Sequence, residues 1–62
     1  MYVLFKVRTD ETEMYWTGEY NLRTGKPKVS KDLTKAMPFQ SRELAYQDGA
    51  NAGLLEFKVG QR

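Results

Sequence analysis

The sequence contains no cysteine and no histidine. The first absence excludes disulfides, and the two together exclude a zinc site of the usual Cys/His type. They also remove the Ser–His and Cys–His arrangements that activate a nucleophile. No glycine-rich phosphate-binding run of either common pattern occurs. No apolar stretch approaches the roughly 20 residues a spanning helix needs. Tyr2-Val3-Leu4-Phe5 is also shorter than the roughly 7–15 residues of a signal-peptide core. The expectation is a non-membrane protein of the reducing cytoplasm, without enzymatic activity, metal or cofactor. Asp10, Glu11 and Glu13 share one segment, but they read as a solvated hairpin loop rather than a cation site or an acid–base pair.

What is present is a short globular chain. With 62 residues, 40% of them hydrophobic and 13% aromatic, it has the means to form a packed domain rather than a disordered tail. A domain of this size buries only about 60% of its unfolded surface, so its core is thin. With disulfides and zinc excluded, good packing or self-association must supply the missing stability, which makes a homodimer one expectation. Net charge is +2, unevenly spread. Residues 21–42 carry Arg23, Lys26, Lys28, Lys31, Lys35 and Arg42 against Asp32 alone, while both flanking segments are net acidic. Such asymmetry bears on partners rather than on fold.

Val3, Phe5 and Val7 alternate with Tyr2, Leu4, Lys6 and Arg8, which predicts a strand over residues 2–8. Met14-Tyr15-Trp16-Thr17-Gly18-Glu19-Tyr20 predicts a second strand, with Gly18 marking a bulge or a close approach. A turn over 21–27 leads to a short, charged third strand, Lys28-Val29-Ser30, suited to a sheet edge. Asp32 or Ser30 caps a single turn over Leu33 to Met37, ended by Pro38, and Phe39 anchors in the core. Ser41 caps a helix over Arg42 to Ala52, and Gly53 occupies the position just past its end. Gly49 lies where the helix approaches the sheet. Leu55, Phe57 and Val59 alternate in a final strand.

The order β-β-β-α-β predicts an α+β domain: a four-stranded sheet in the order 3-2-1-4, with the helix on one face. The last strand is expected parallel to the first through a right-handed crossover. The expected core is Val3, Phe5, Val7, Trp16, Val29, Leu33, Phe39, Leu44, Ala45, Ala52, Leu55, Phe57 and Val59. Strand alternation then sends Tyr2, Leu4, Lys6, Tyr15 and Thr17 to the opposite, bare face, with Lys58. Tyrosines among lysines there suit a base-stacking surface, half of a dimer interface, or a solvated face whose lysine stems cover the rings. The basic stretch from Arg23 to Lys35 suits phosphate contacts or a guarded, soluble edge. Trp16 reads as core, or less simply as a partner anchor.

Tyr15-Trp16-Thr17-Gly18, Asp32-Leu33-Thr34-Lys35-Ala36, and Phe39-Gln40-Ser41 followed by Ala45 resemble a pattern in small accessory proteins of tailed bacteriophages and prophages. The resemblance runs from about Tyr2 to Val59. It implies a protein that binds a bacterial host or defence macromolecule stoichiometrically and blocks it, a class to which inhibitors of CRISPR effectors belong. The partner would be a bacterial protein or protein–nucleic-acid complex. The residues expected to contact it are Tyr2, Lys6, Tyr15 and Lys58 on the bare face, with Arg23, Lys26, Lys28 and Lys31 beside it. A weak nucleic-acid-binding module using the same residues, and a self-assembling virion component, are the alternative expectations.

Overall fold

The computed structural model describes all 62 residues. Strands β1 (Tyr2–Val7), β2 (Glu13–Tyr20) and β3 (Pro27–Ser30) are followed by a 3-10 turn (Leu33–Lys35), helix α1 (Arg42–Asn51) and strand β4 (Lys58–Gln61). The four strands form one sheet in the order β3-β2-β1-β4, as the sequence predicts. Every neighbouring pair is antiparallel, however, including β1 with β4.

The direction of β4 follows from what happens between β3 and α1. The chain does not pass straight into the helix. The 3-10 turn first runs back over one face of the sheet, where Leu33 and Ala36 pack on Val3, Tyr15 and Phe5. The Met37 N–H then donates to the Trp16 carbonyl (2.8 Å), and Phe39 exchanges both backbone hydrogen bonds with Tyr2 (2.8 and 3.0 Å). This seats residues 37–39 between β2 and the start of β1, where the chain changes faces. Phe39 joins Leu4, Trp16, Ala45 and Leu54 on the other side. The helix then runs the length of that face. Two traverses, one over each face, return the chain to the end of β1 from which β4 must run antiparallel. The expected parallel crossover assumes only one.

The two faces are also exchanged relative to the sequence reading. Phe5 pairs with Tyr15, so Leu4 lies beside Trp16, and Trp16 is held by the helix: its Nε1–H donates to Asp48 Oδ2 at 3.0 Å. Tyr2, Leu4 and Lys6 therefore face α1. Val3, Phe5 and Tyr15 face away, beneath the 3-10 turn. Leu4 is 2% exposed, whereas Val7, the last residue of β1, is 52% exposed.

Both ends of α1 match their sequence signals. Ser41 Oγ accepts from the Leu44 N–H (3.2 Å). At the other end Gly53 takes φ +74°, its N–H bonds the Ala50 carbonyl, and the Leu54 N–H bonds the Gly49 carbonyl (2.7 Å). This paired pattern folds the residue after the glycine back onto the helix. Leu54 is consequently buried and Leu55 is 85% exposed, and β4 begins only at Lys58. Leu55 and the exposed Leu44 thus leave the expected core. The buried set is Val3, Leu4, Tyr15, Trp16, Ala36, Phe39, Ala45 and Leu54, with Gly49.

Two glycines admit close approaches. Gly18 has φ +88°, the β2–β3 register shifts around it, and a Cβ there would sit 2.9 Å from Met37 Sδ. That is the bulge the sequence predicts, and it opens the place that residues 37–39 fill. A Cβ at Gly49 would lie 3.3 and 3.4 Å from the Leu4 δ carbons, which places this helical glycine against the sheet.

Candidate interaction surface

The residues expected to form one contact surface fall in three places. Tyr2 is half-buried on the helix face, with the Arg42 guanidinium 5.3 Å from its ring centre. Lys6, on the same face, holds its ammonium 5.5 Å from the Phe57 ring centre. Tyr15 is buried on the opposite face, and its hydroxyl donates to Glu13 Oε1 at 2.8 Å. Lys58 pairs with Phe5 and is exposed on that same face. Tyr2 and Lys6 are therefore separated from Tyr15 and Lys58 by the thickness of the sheet.

The face opposite the helix is not bare. The 3-10 turn covers one part, and Arg62 covers another. Its guanidinium makes a two-point contact with the Glu13 carboxylate (3.2 and 2.6 Å) and lies 4.7 Å from the Phe5 ring centre. Hydrogen bonds from Arg62 and then Tyr15 hold the Glu13 carboxyl below the usual glutamate range. The Glu13 hydrogen bond in turn pushes the Tyr15 hydroxyl up. Gly60 makes room for this arrangement, since a Cβ there would meet Phe5 Cε1 at 2.6 Å. Tyr15, read in the sequence as a source of external contacts, is here satisfied internally by Glu13, which Arg62 also binds.

Arg23, Lys26, Lys28 and Lys31 are all exposed and lie together around the β2–β3 turn and the β3 edge, joined by Lys35. They form a ridge rather than a face. Lys26 lines a depression of about 280 Å3 on the helix side, with Lys6 and Glu56 on its rim. Lys28 and Lys35 line a shallow one of about 430 Å3 on the other side, with Glu19. The single ion pair on the ridge, Lys28–Glu19 at 3.8 Å, is exposed and adds little stability.

The turn itself is held by its own polar groups. Asn21 Oδ1 accepts from the N–H groups of Arg23 (2.9 Å) and Thr24 (3.3 Å). The Asn21 N–H donates to the Lys26 carbonyl (2.8 Å), and the Asn21 carbonyl accepts from Gly25 (2.7 Å). This network leaves Leu22 at the tip with 99% of its surface exposed. The sequence reading took Leu22 as part of an ordinary turn. The available signal was an apolar residue set among four turn-forming neighbours, where local hydrogen bonding leaves it no core to join.

No group of three or more acidic side chains is placed to hold a metal ion, and no helix is long and apolar enough to cross a membrane. No protein-family model matches the chain, and neither does any curated protein or solved structure.

Proposed function

We propose that the protein acts by stoichiometric binding of a bacterial macromolecule, as the resemblance to phage accessory proteins implies, and that the β2–β3 turn with its basic ridge makes the contact. One observation carries this reading: a wholly exposed leucine on a hydrogen-bonded turn, flanked by Arg23, Lys26 and Lys28. A turn ordered before binding loses little entropy when it docks. An apolar tip at the end of a cationic ridge suits a small apolar pocket beside an acidic surface. The target class is a host or defence protein, or a protein–nucleic-acid complex whose function the bound chain blocks.

Burial of Tyr15 and the stacking of Tyr2 under Arg42 favour a protein target over single-stranded nucleic acid, because base stacking needs open aromatic faces. The test is capture from a bacterial lysate by the immobilised protein, with Leu22→Asp and Arg23→Glu as variants. The expected result is a one-to-one partner lost with either variant. Capture that survives both variants would remove the turn from the reading. Direct binding to nucleic acid that weakens steeply with salt and ignores Leu22→Asp would favour the nucleic-acid alternative.

A further inference from the structure

The strand β4 is held to the sheet mainly by its backbone. None of its residues is fully buried: Val59 and Gly60 are half-buried, and Lys58 and Gln61 are exposed. Tyr2 directs its N–H and C=O to Phe39, on the β2 side of β1, and alternation turns the groups of Leu4 and Lys6 the same way. Val3 and Phe5 are therefore the residues of β1 that bond β4, through Gly60 and Lys58. The Arg62 N–H continues the pattern to the Met1 carbonyl (2.8 Å).

One side chain adds to this ladder. Arg62 crosses over the Phe5 ring, and its guanidinium closes on Glu13 of β2. These are the only side-chain hydrogen bonds from residues 58–62 to another strand. The chain on the other side of Lys58 is anchored separately. Leu54 is buried, and its carbonyl accepts from the Phe57 N–H (3.0 Å). The helix is fixed to β2 by the Trp16–Asp48 bond and by the Tyr20 hydroxyl on the Ala52 carbonyl (3.2 Å), neither of which involves β4.

We propose that residues 58–62 form a strap that opens from the sheet as a unit while the rest of the chain stays folded, with the Arg62–Glu13 pair as its catch. The hinge lies after Phe57, the last residue tied to the Leu54 anchor. Opening breaks the β1–β4 backbone pairs and the catch, and leaves the helix, Leu54 and the β1–β2 ladder in place. A segment with few buried contacts and its own set of bonds is the kind that opens below the global unfolding free energy. Closed, the strap covers the edge of β1 at Val3-Leu4-Phe5. Bare, that edge would be a template for stray strand pairing.

Amide hydrogen exchange of the native full chain, read residue by residue, tests the proposal. Val3 is 0% exposed, and in a single cooperative unit its amide would be among the slowest. The strap makes it fast: Val3 and Phe5 should exchange about tenfold or more faster than Leu4 and Lys6, which alternate with them but bond toward β2. Two variants separate the catch from general stability. Glu13→Gln should speed Val3, Phe5 and Gly60 about fivefold, the effect of losing a two-point charged contact. Asp48→Ala removes a bond that opening leaves intact. It should speed the Gly49 amide about fivefold, as a lost buried hydrogen bond does, and leave Val3 and Gly60 unchanged. Val3 exchanging as slowly as Leu4 and Lys6 would overturn the proposal. So would unchanged Val3 and Gly60 rates in Glu13→Gln, or rates that rise with Gly49 in Asp48→Ala.

Discussion

Replacing Leu4 by alanine measures the exchange of faces directly. Leu4 is 2% exposed and packs on Trp16, Leu54 and the bare backbone of Gly49. Because the glycine has no side chain and the helix is capped at both ends, little can move in to fill the space. The cost should sit in the middle of the range for buried leucine, about 3 kcal/mol. Val7 alternates into the face away from the helix and is 52% exposed. Val7→Ala loses less than half a side chain of burial, about 0.5–1 kcal/mol. A chain of 62 residues has about 3–9 kcal/mol of stability in all. Leu4→Ala should therefore remove a third or more of it, and Val7→Ala only a small part. At about 4–8 °C per kcal/mol for a domain of this size, the leucine variant should melt at least 12 °C lower. Paired urea and thermal melts at one protein concentration would measure both. Equal losses, or a larger loss at Val7, would show that the strand faces the other way and that the Leu4–Trp16 pairing is wrong.

Two further outcomes concern the bulge and the Glu13 network. Gly18→Ala should cost about 1–2 kcal/mol from the left-handed backbone alone, and more as its Cβ displaces Met37; a melt within error of wild type would show that the bulge adopts another conformation. Glu13, Asp32 and Asp10 all have carboxyls held below their ordinary range, by Arg62 and Tyr15, by the Thr34 hydroxyl and N–H, and by the Thr12 N–H and hydroxyl. As pH falls, the unfolded chain takes up these protons first, so their stabilisation is full above the ordinary carboxylate range and lost as pH drops through the folded values. Glu13→Gln should be less stable than wild type at neutral pH and converge on it in acid. A constant gap in urea midpoint across that range would exclude the Arg62–Glu13 pair as its source.

Much of the fold was legible in short-range patterns. Ser41 and Gly53 bracket the helix because capping depends on a few neighbouring backbone groups. Gly18 marked the bulge, Asp32 the 3-10 turn, and Phe39 the anchor, each for a local reason. The adjacency of strands 3, 2 and 1 followed from two short hairpins, and the place of the fourth beside the first was expected correctly although its direction was not. The candidate surface was less legible. The basic ridge can be read from composition, since Arg23 to Lys35 are close along the chain and a short hairpin keeps them close in space. The grouping of Tyr2, Lys6, Tyr15 and Lys58 could not be read, because it required knowing which face of β1 the helix covers.

Alternation alone divided β1 into two sets, Val3-Phe5-Val7 and Tyr2-Leu4-Lys6, each apolar enough to be core. Period two says which residues share a side but not which side is inside. That choice was made by contacts far apart in sequence: Trp16 to Asp48, Leu4 to Gly49, and residues 37–39 between β1 and β2. The direction of β4 was decided in the same way, by a second traverse of the sheet that no local propensity encodes. The amino-acid sequence by itself determined the ends of the helix, the bulge and the hairpin turns, because these are settled within a few residues, but not the start of β4, which the fold of Leu54 back onto the helix delays to Lys58. Tertiary packing alone decided which face is covered and how the last strand runs, because those depend on burying two competing apolar sets on opposite sides of one thin sheet.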